Sequence, residues 1–91
     1  MSTQHTPAPW KLDGAANTGD LDIISPTGRI AMLDCEFSEE TEDVLTANAC
    51  LIAAAPDLLH ALRDALEIIE GTGLDASIQR AALAKATGEA A

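Results

Sequence analysis

The strongest constraint on the fold is a proline in the middle of a long apolar stretch. Residues 44–62, VLTANACLIAAAPDLLHAL, are mostly small or apolar, and no charged residue occurs between Val44 and Pro56. A proline ring clashes with the carbonyl four residues earlier and lacks an amide donor, so one regular helix cannot continue through Pro56. Proline is well tolerated in the first turn of a helix. The sequence therefore predicts one helix that ends near Ala55 and a second that begins at Pro56.

The two helices differ in the pattern of their apolar residues. The first has small or apolar residues almost all round, which predicts burial on more than one side. Its one amide side chain, Asn48, is expected to bond to the hairpin backbone or to a second copy of the chain, with a contact to a ligand as the alternative. The uncharged span is shorter than the roughly 20 residues that cross a bilayer, which argues against a membrane segment. The second helix carries one apolar stripe, formed by Leu58, Leu59, Leu62, Leu66 and Ile69.

The N-terminal part of the chain has the pattern of short strands. Residues 10–12 are a candidate first strand, and the segment DGAANTGD after them is typical of a loop. Residues 21–24 and 29–37 flank Ser25-Pro26-Thr27-Gly28, which matches a type I turn and predicts a hairpin. Alternation on the second arm puts Ala31, Leu33, Cys35 and Phe37 on the core face. Trp10 is expected to cap that core.

The C-terminal part predicts one more helix. Gly71 and Gly73 end the second helix, and a last helix is expected over about Asp75–Ala86, with Asp75 as its N-cap. Its buried side is expected to contain Leu74, Ile78, Ala81 and Ala82.

These elements predict an α+β fold within a single domain, residues 1–91. Residues 1–9 would form an extended lead-in and residues 87–91 a frayed tail. We expect a small antiparallel sheet of two or three strands, packed against the Pro-broken helix pair and the C-terminal helix. A chain of 91 residues buries a modest core. A homodimer formed through helices is therefore expected.

The charge of the chain limits its possible partners. Fifteen Asp and Glu residues against five Lys and Arg residues give a formal net charge of −10. Such a chain repels nucleic-acid backbones and anionic membranes, and it favours a partner with a basic surface. A simpler interpretation is that the charge only keeps the protein soluble.

A dense group of acids lies where the last strand meets the first helix. We call this group, which comprises Asp34, Glu36, Glu39, Glu40, Glu42 and Asp43, the acidic corner. One interpretation is a solvated helix start, because carboxylates stabilise the positive end of a helix dipole. The other is a partner-binding surface that resembles phosphate and occupies a basic groove. The ligand order of a calcium-binding EF-hand is missing.

Catalytic and metal-binding patterns are weak. His5, His60, Cys35 and Cys50 do not have the spacing of metal ligands, and the segment Gly71-Thr72-Gly73 lacks the lysine of a phosphate-binding loop. The two cysteines lie among apolar residues without an export signal before them, which predicts reduced, buried thiols in the cytoplasm. We therefore expect a non-enzymatic protein without cofactor or metal.

Three segments resemble a group of small proteins encoded by bacteriophages and prophages. They are HTPAPW, SPTGRIA and ANACLIAAAPDLLHAL, which lie in this order within residues 5–62. Relatives usually carry an arginine at the position of Cys50, so any anion-binding role of that arginine is missing here. The resemblance implies expression in an infected bacterium, where small acidic proteins often disable host defence machinery, as anti-CRISPR proteins do.

Three functional hypotheses follow. The first is a non-enzymatic inhibitor whose acidic corner binds a basic surface on a host defence complex such as CRISPR-Cas. The second is an oligomer that sequesters a signalling nucleotide, which would have to use the basic residues Lys11, Arg29, Arg63, Arg80 and Lys85 or helix N-termini. The third is a phage structural or housekeeping protein with only an interaction role.

Overall fold

In the part of the chain that the structure describes, three strands and three helices follow one another. The computed structural model describes residues 4–15, 19–35 and 38–89. Its elements are β1 (Lys11–Ala15), β2 (Asp20–Ser25), β3 (Gly28–Asp34), α1 (Glu42–Ala53), α2 (Ala55–Gly71) and α3 (Ser77–Thr87). The predicted α+β class is confirmed. The chain divides into one unit of His5–Pro56, with the sheet and α1, and another that contains Asp57–Ala91. The single domain and the packing of α2 and α3 on the sheet remain predictions.

The strands form an antiparallel sheet in the order β1-β2-β3. The predicted hairpin joins β2 to β3, with Ser25 paired to Gly28 across a loop of Pro26 and Thr27. The Ser25 hydroxyl accepts a hydrogen bond from the Thr27 amide at 3.2 Å and donates one to the Gly28 carbonyl at 3.0 Å. These bonds within the loop stabilise the turn that the sequence predicts.

A bulge in β3 decides which side chains face the core. Ile24 pairs with Arg29 but Ile23 pairs with Ala31, so Ile30 is an extra residue on β3. Shifting a strand by one residue moves its side chains to the other face of the sheet. The bulge therefore puts Ala31 and Leu33 on the same face as Ile23. The predicted core face of β3 is confirmed for Ala31, Leu33 and Cys35, whereas Glu36 and Phe37 lie outside the described residues.

The core of this unit lies between the sheet and α1. Leu21 and Ile23 of β2 are 1% and 0% exposed, and Leu45 and Ala49 of α1 are 6% and 0% exposed. Around them pack the partly buried side chains of Trp10, Leu12, Ile30, Ala31, Leu33, Cys35, Ile52 and Ala53. Trp10 caps the core as expected, and its indole N–H donates to the Thr6 carbonyl at 3.0 Å.

The first strand is longer than predicted. It covers Lys11–Ala15 rather than residues 10–12, because Asp13, Gly14 and Ala15 continue the pairing with β2. Gly14 has a φ of +90°, a conformation that residues with a Cβ rarely adopt. The glycine therefore lets the strand extend into the segment that the sequence predicts as a loop.

The helix break is close to its predicted position. α1 ends at Ala53 and α2 begins at Ala55, so Pro56 lies in the first turn of α2.

Among the described residues no single helix is long and apolar enough to cross a membrane. By length and composition, only α1 and α2 taken together as a bent pair would be.

The expectation that α1 is buried on several sides is wrong. Only Leu45 and Ala49 are buried, while Val44 and Leu51 are 40% and 64% exposed. The reason is that α1 packs with one side on β1 and β2. Asn48 and Cys50 are therefore exposed rather than buried. Cys35 is partly buried, and both cysteines are free thiols.

In the second unit, the predicted stripe of α2 is only partly buried. Leu66 is 9% exposed and Leu58 is 52% exposed, whereas Leu59, Leu62 and Ile69 are half-buried. After Gly71 the chain turns, and Gly73 has a φ of +80°, as expected for a glycine that ends a helix.

The predicted orientation of α3 is wrong. Leu74 and Ile78 are 68% and 80% exposed, and Ala81 and Ala82 are also exposed. Ala76 is 5% exposed, and Leu83 lies on the same side two turns later, opposite Ile78.

The ends of α3 also differ from the prediction. α3 begins at Ser77 rather than at Asp75, whose carboxylate accepts a hydrogen bond from the Ser77 amide at 3.0 Å. α3 continues to Thr87, and the Glu89 amide donates to the Ala84 carbonyl at 2.8 Å.

Candidate functional site

The acidic corner extends from the end of a strand, through a connecting segment, to the start of a helix. Asp34 ends β3, Glu39 and Glu40 lie in the connecting segment, and Glu42 and Asp43 form the first turn of α1. These five residues are exposed, whereas Glu36 lies outside the described residues. The structure therefore leaves the described carboxylates of the corner accessible to a partner.

The start of α1 accounts for only part of this charge. Thr41 is the N-cap, and its hydroxyl oxygen accepts a hydrogen bond from the Val44 amide at 3.3 Å. Glu42 and Asp43 therefore lie in the first turn, where the helix dipole favours carboxylates. Glu39 and Glu40 lie before the helix. The Glu40 backbone amide donates to the Ser38 hydroxyl at 3.1 Å, so this bond does not involve the Glu40 carboxylate.

The sheet continues the acidic surface beyond the corner. Asp20 pairs with Asp34, and Asp13 pairs with Asp22. Residues directly opposite each other on antiparallel strands share a face. Asp20 and Asp22 alternate along β2 with the buried Leu21 and Ile23, so they and their partners Asp34 and Asp13 lie on the face that is turned away from α1. We call Asp13, Asp20, Asp22 and Asp34 the acidic sheet face.

Three members of this face are not identified from the sequence as site residues. The available signal is the alternation of Asp20 and Asp22 with Leu21 and Ile23. A two-residue loop without a bulge would pair Asp20 with Leu33 instead of Asp34. Leu33 would then lie on the face that is turned away from α1. The sequence alone therefore does not show that Asp20 lies beside the acidic corner, because that position depends on the bulge in β3.

One arginine partly balances the acidic sheet face. The Arg29 Nε lies 3.6 Å from Asp22 Oδ1, a distance suited to an ion pair but too long for a hydrogen bond. Asp22 Oδ1 is buried and has no hydrogen-bond partner among the described residues. Lys11 and Arg29 both pair with Ile24, so the basic residues lie at the hairpin end of the face and Asp20 and Asp34 at the other.

Removing one charge from the acidic sheet face is expected to stabilise the protein. Like charges directly opposite on neighbouring strands destabilise a sheet, so Asp13→Asn should raise the free energy of unfolding by about 0.2–1 kcal/mol. The gain should shrink in high salt, which screens exposed charges. Urea unfolding followed by Trp10 fluorescence measures it. Glu67→Gln, an exposed charge removal on α2, is the control, and an equal gain from both variants would contradict local repulsion.

Other chemistry-bearing side chains are scattered. Among the described residues no group of three or more His, Cys, Asp or Glu side chains could hold a metal ion. His5 meets Trp10 edge to face at 6.0 Å, and His60 lies 3.5 Å from Asp64 on α2. The absence of catalysis, cofactor and metal remains a prediction.

An open groove of about 520 Å³ lies beside the start of α3. Its charged groups include Arg80, whose guanidinium pairs with the Glu70 carboxylate. That pairing neutralises the arginine, so the groove gives little support to the nucleotide-sequestering hypothesis. The exposed carboxylates of the first unit are a better candidate site.

Comparison with known families gives one result. A family model described as Salmonella phage P22 protein Y8K6 matches residues 1–90. No curated protein and no solved structure matches the chain.

Proposed function

Because the chain belongs to the family of Salmonella phage P22 protein Y8K6, we propose that this phage-encoded protein binds and inhibits a host protein without catalysing a reaction. The proposed target is a nucleic-acid-binding defence complex, such as a CRISPR-Cas effector, in the cytoplasm of the infected bacterium. The phage origin supports a host context, and the choice of target depends on the chemistry of the surface.

The observation that carries the proposal is the continuity of the acidic residues, of which the described ones other than Asp22 are exposed. The acidic corner and the acidic sheet face share Asp34, which pairs directly with Asp20. Neighbouring antiparallel strands lie about 4.8 Å apart, so these carboxylates form a concentrated region of negative charge. Such a region complements a groove whose lysines and arginines bind nucleic-acid phosphates.

The net charge makes a protein the better partner than a nucleic acid. A chain of charge −10 repels DNA and RNA, whereas it is attracted to the proteins that bind them. Binding in the nucleic-acid groove would exclude the nucleic acid and inhibit the complex. The binding should therefore be competitive and should weaken as salt is raised.

The test measures DNA binding by a panel of purified CRISPR-Cas effectors, with and without the protein, in a mobility-shift assay. At least one effector is expected to lose DNA binding. The double variant Glu39→Lys/Glu40→Lys should weaken this inhibition about tenfold or more, because it reverses charges at the centre of the acidic corner. Both residues precede α1, so the substitution leaves the first turn of that helix intact.

The matched control is Glu67→Lys/Glu89→Lys, which makes the same change in net charge at exposed residues of the second unit. It should inhibit nearly as well as the unmodified protein. Equal losses from the two variants would show a general charge effect rather than a site. If no effector on the panel is inhibited, the proposed target class is wrong.

A further inference from the structure

An uncharged stripe on α1 remains exposed. Val44, Asn48 and Leu51 are separated by four and three residues, so they lie on one side of the helix. Val44 is 40% exposed, Leu51 is 64% exposed, and Asn48 between them is also exposed. The buried residues Leu45 and Ala49 lie on a different side, toward the sheet. We call Val44, Asn48 and Leu51 the α1 stripe.

We propose that the α1 stripe docks a second copy of this chain, with the two α1 helices antiparallel about a two-fold axis near Asn48. Charge is the first reason. Two copies of a chain with a net charge of −10 repel each other, but no charged residue occurs between Val44 and Pro56. The α1 stripe is thus a surface at which two copies meet without opposing like charges.

Asn48 is the second reason. An amide side chain both donates and accepts hydrogen bonds, so it can pair with a copy of itself. In a two-fold interface a residue near the axis meets the same residue of the other copy. A single asparagine within an apolar helix seam also fixes the register of the two helices. An exposed asparagine between Val44 and Leu51 matches that role.

The positions of the acids select the antiparallel arrangement. Glu42 and Asp43 occupy the first turn of the 12-residue helix α1, which is about 18 Å long. Antiparallel helices keep these turns apart by more than the screening length of about 8–10 Å, whereas parallel helices would bring them together. Asn48 lies near the midpoint between Val44 and Leu51, so Val44 would pack against Leu51 of the second copy.

Light scattering after size-exclusion chromatography tests the association. The expected mass is twice the 9.4 kDa of one chain. Leu51→Lys should give a monomer, because it puts a charge into the seam. Thr46→Lys is the matched control on the opposite side of α1 and should remain a dimer, and circular dichroism checks that both variants fold. A monomeric unmodified protein, or a folded Leu51→Lys variant that still dimerises, would overturn the proposal.

Disulfide trapping tests the orientation, in a Cys35→Ser/Cys50→Ser background. Asn48→Cys should form a cross-linked dimer, since a disulfide needs Cα atoms about 5.5–6 Å apart. Val44→Cys alone should remain uncross-linked, but it should cross-link when it is mixed with Leu51→Cys. Efficient cross-linking of Val44→Cys to itself would indicate parallel helices and overturn the antiparallel arrangement. The inference is independent of the proposed host target, because the α1 stripe shares no residue with the acidic corner.

Discussion

Replacing Ile23 with alanine is expected to lower the free energy of unfolding of the sheet–α1 unit by about 2–5 kcal/mol. Ile23 is 0% exposed and belongs to the cluster that joins β2 to α1. Truncation removes buried apolar surface and leaves a cavity, because α1 cannot fully close over the lost atoms. In a small domain such a loss is a large part of the total stability.

Trp10 makes this loss measurable in the correct unit. It is the chain's single tryptophan and packs at the edge of the same core, so its fluorescence in urea reports unfolding there. Ile24→Ala is the matched control, because Ile24 is the next residue on β2 and is only half-buried. It should cost clearly less than Ile23→Ala. Equal losses from the two variants would contradict the core position of Ile23.

Local signals predicted much of the fold. Pro56 determines where α1 gives way to α2, because in the middle of a regular helix its ring would clash with the carbonyl four residues earlier. The segment from Ser25 to Gly28 predicts the hairpin because its residues suit a tight turn. In both cases the constraint acts over a few neighbouring residues, so the sequence contains nearly all the information that is needed.

The side of each helix or strand that packs on the core is harder to predict from the sequence. Periodicity shows which residues share a side of a helix, but it does not show which of two apolar sides meets the sheet. On α1 the side with Leu45 and Ala49 packs on the sheet, while the side with Val44 and Leu51 stays exposed. On α3 the same ambiguity gave the wrong side, with Ile78 exposed.

The candidate site was predicted only in part for a similar reason. The exposed acids around Thr41 follow from the helix-start pattern, which depends on neighbouring residues. Asp13, Asp20 and Asp22 join them through strand pairing, and that pairing depends on the bulge at Ile30. One extra residue in β3 thus decides whether the corner is a local feature or part of a larger acidic surface.

The distribution of charge suggests a division of roles between two surfaces of the first unit. The acidic corner and the acidic sheet face would bind a basic partner, whereas the α1 stripe would bind a second copy. A dimer doubles the number of acidic surfaces, and binding two sites on one target raises the apparent affinity if the geometry allows it. Disrupting the α1 stripe should then weaken binding to such a target without altering any carboxylate.

Gly14→Ala is expected to lower the free energy of unfolding by about 2 kcal/mol or more. Gly14 has a φ of +90°, and an added Cβ would lie 2.8 Å from the Asp20 carbonyl oxygen in the paired strand. Gly19→Ala is the control: its φ of +103° is also strained for alanine, but its Cβ would meet no atom of the described residues within 4 Å. The difference between the two variants in urea unfolding therefore measures the contact with β2. Equal losses would show that the backbone conformation alone requires glycine at position 14.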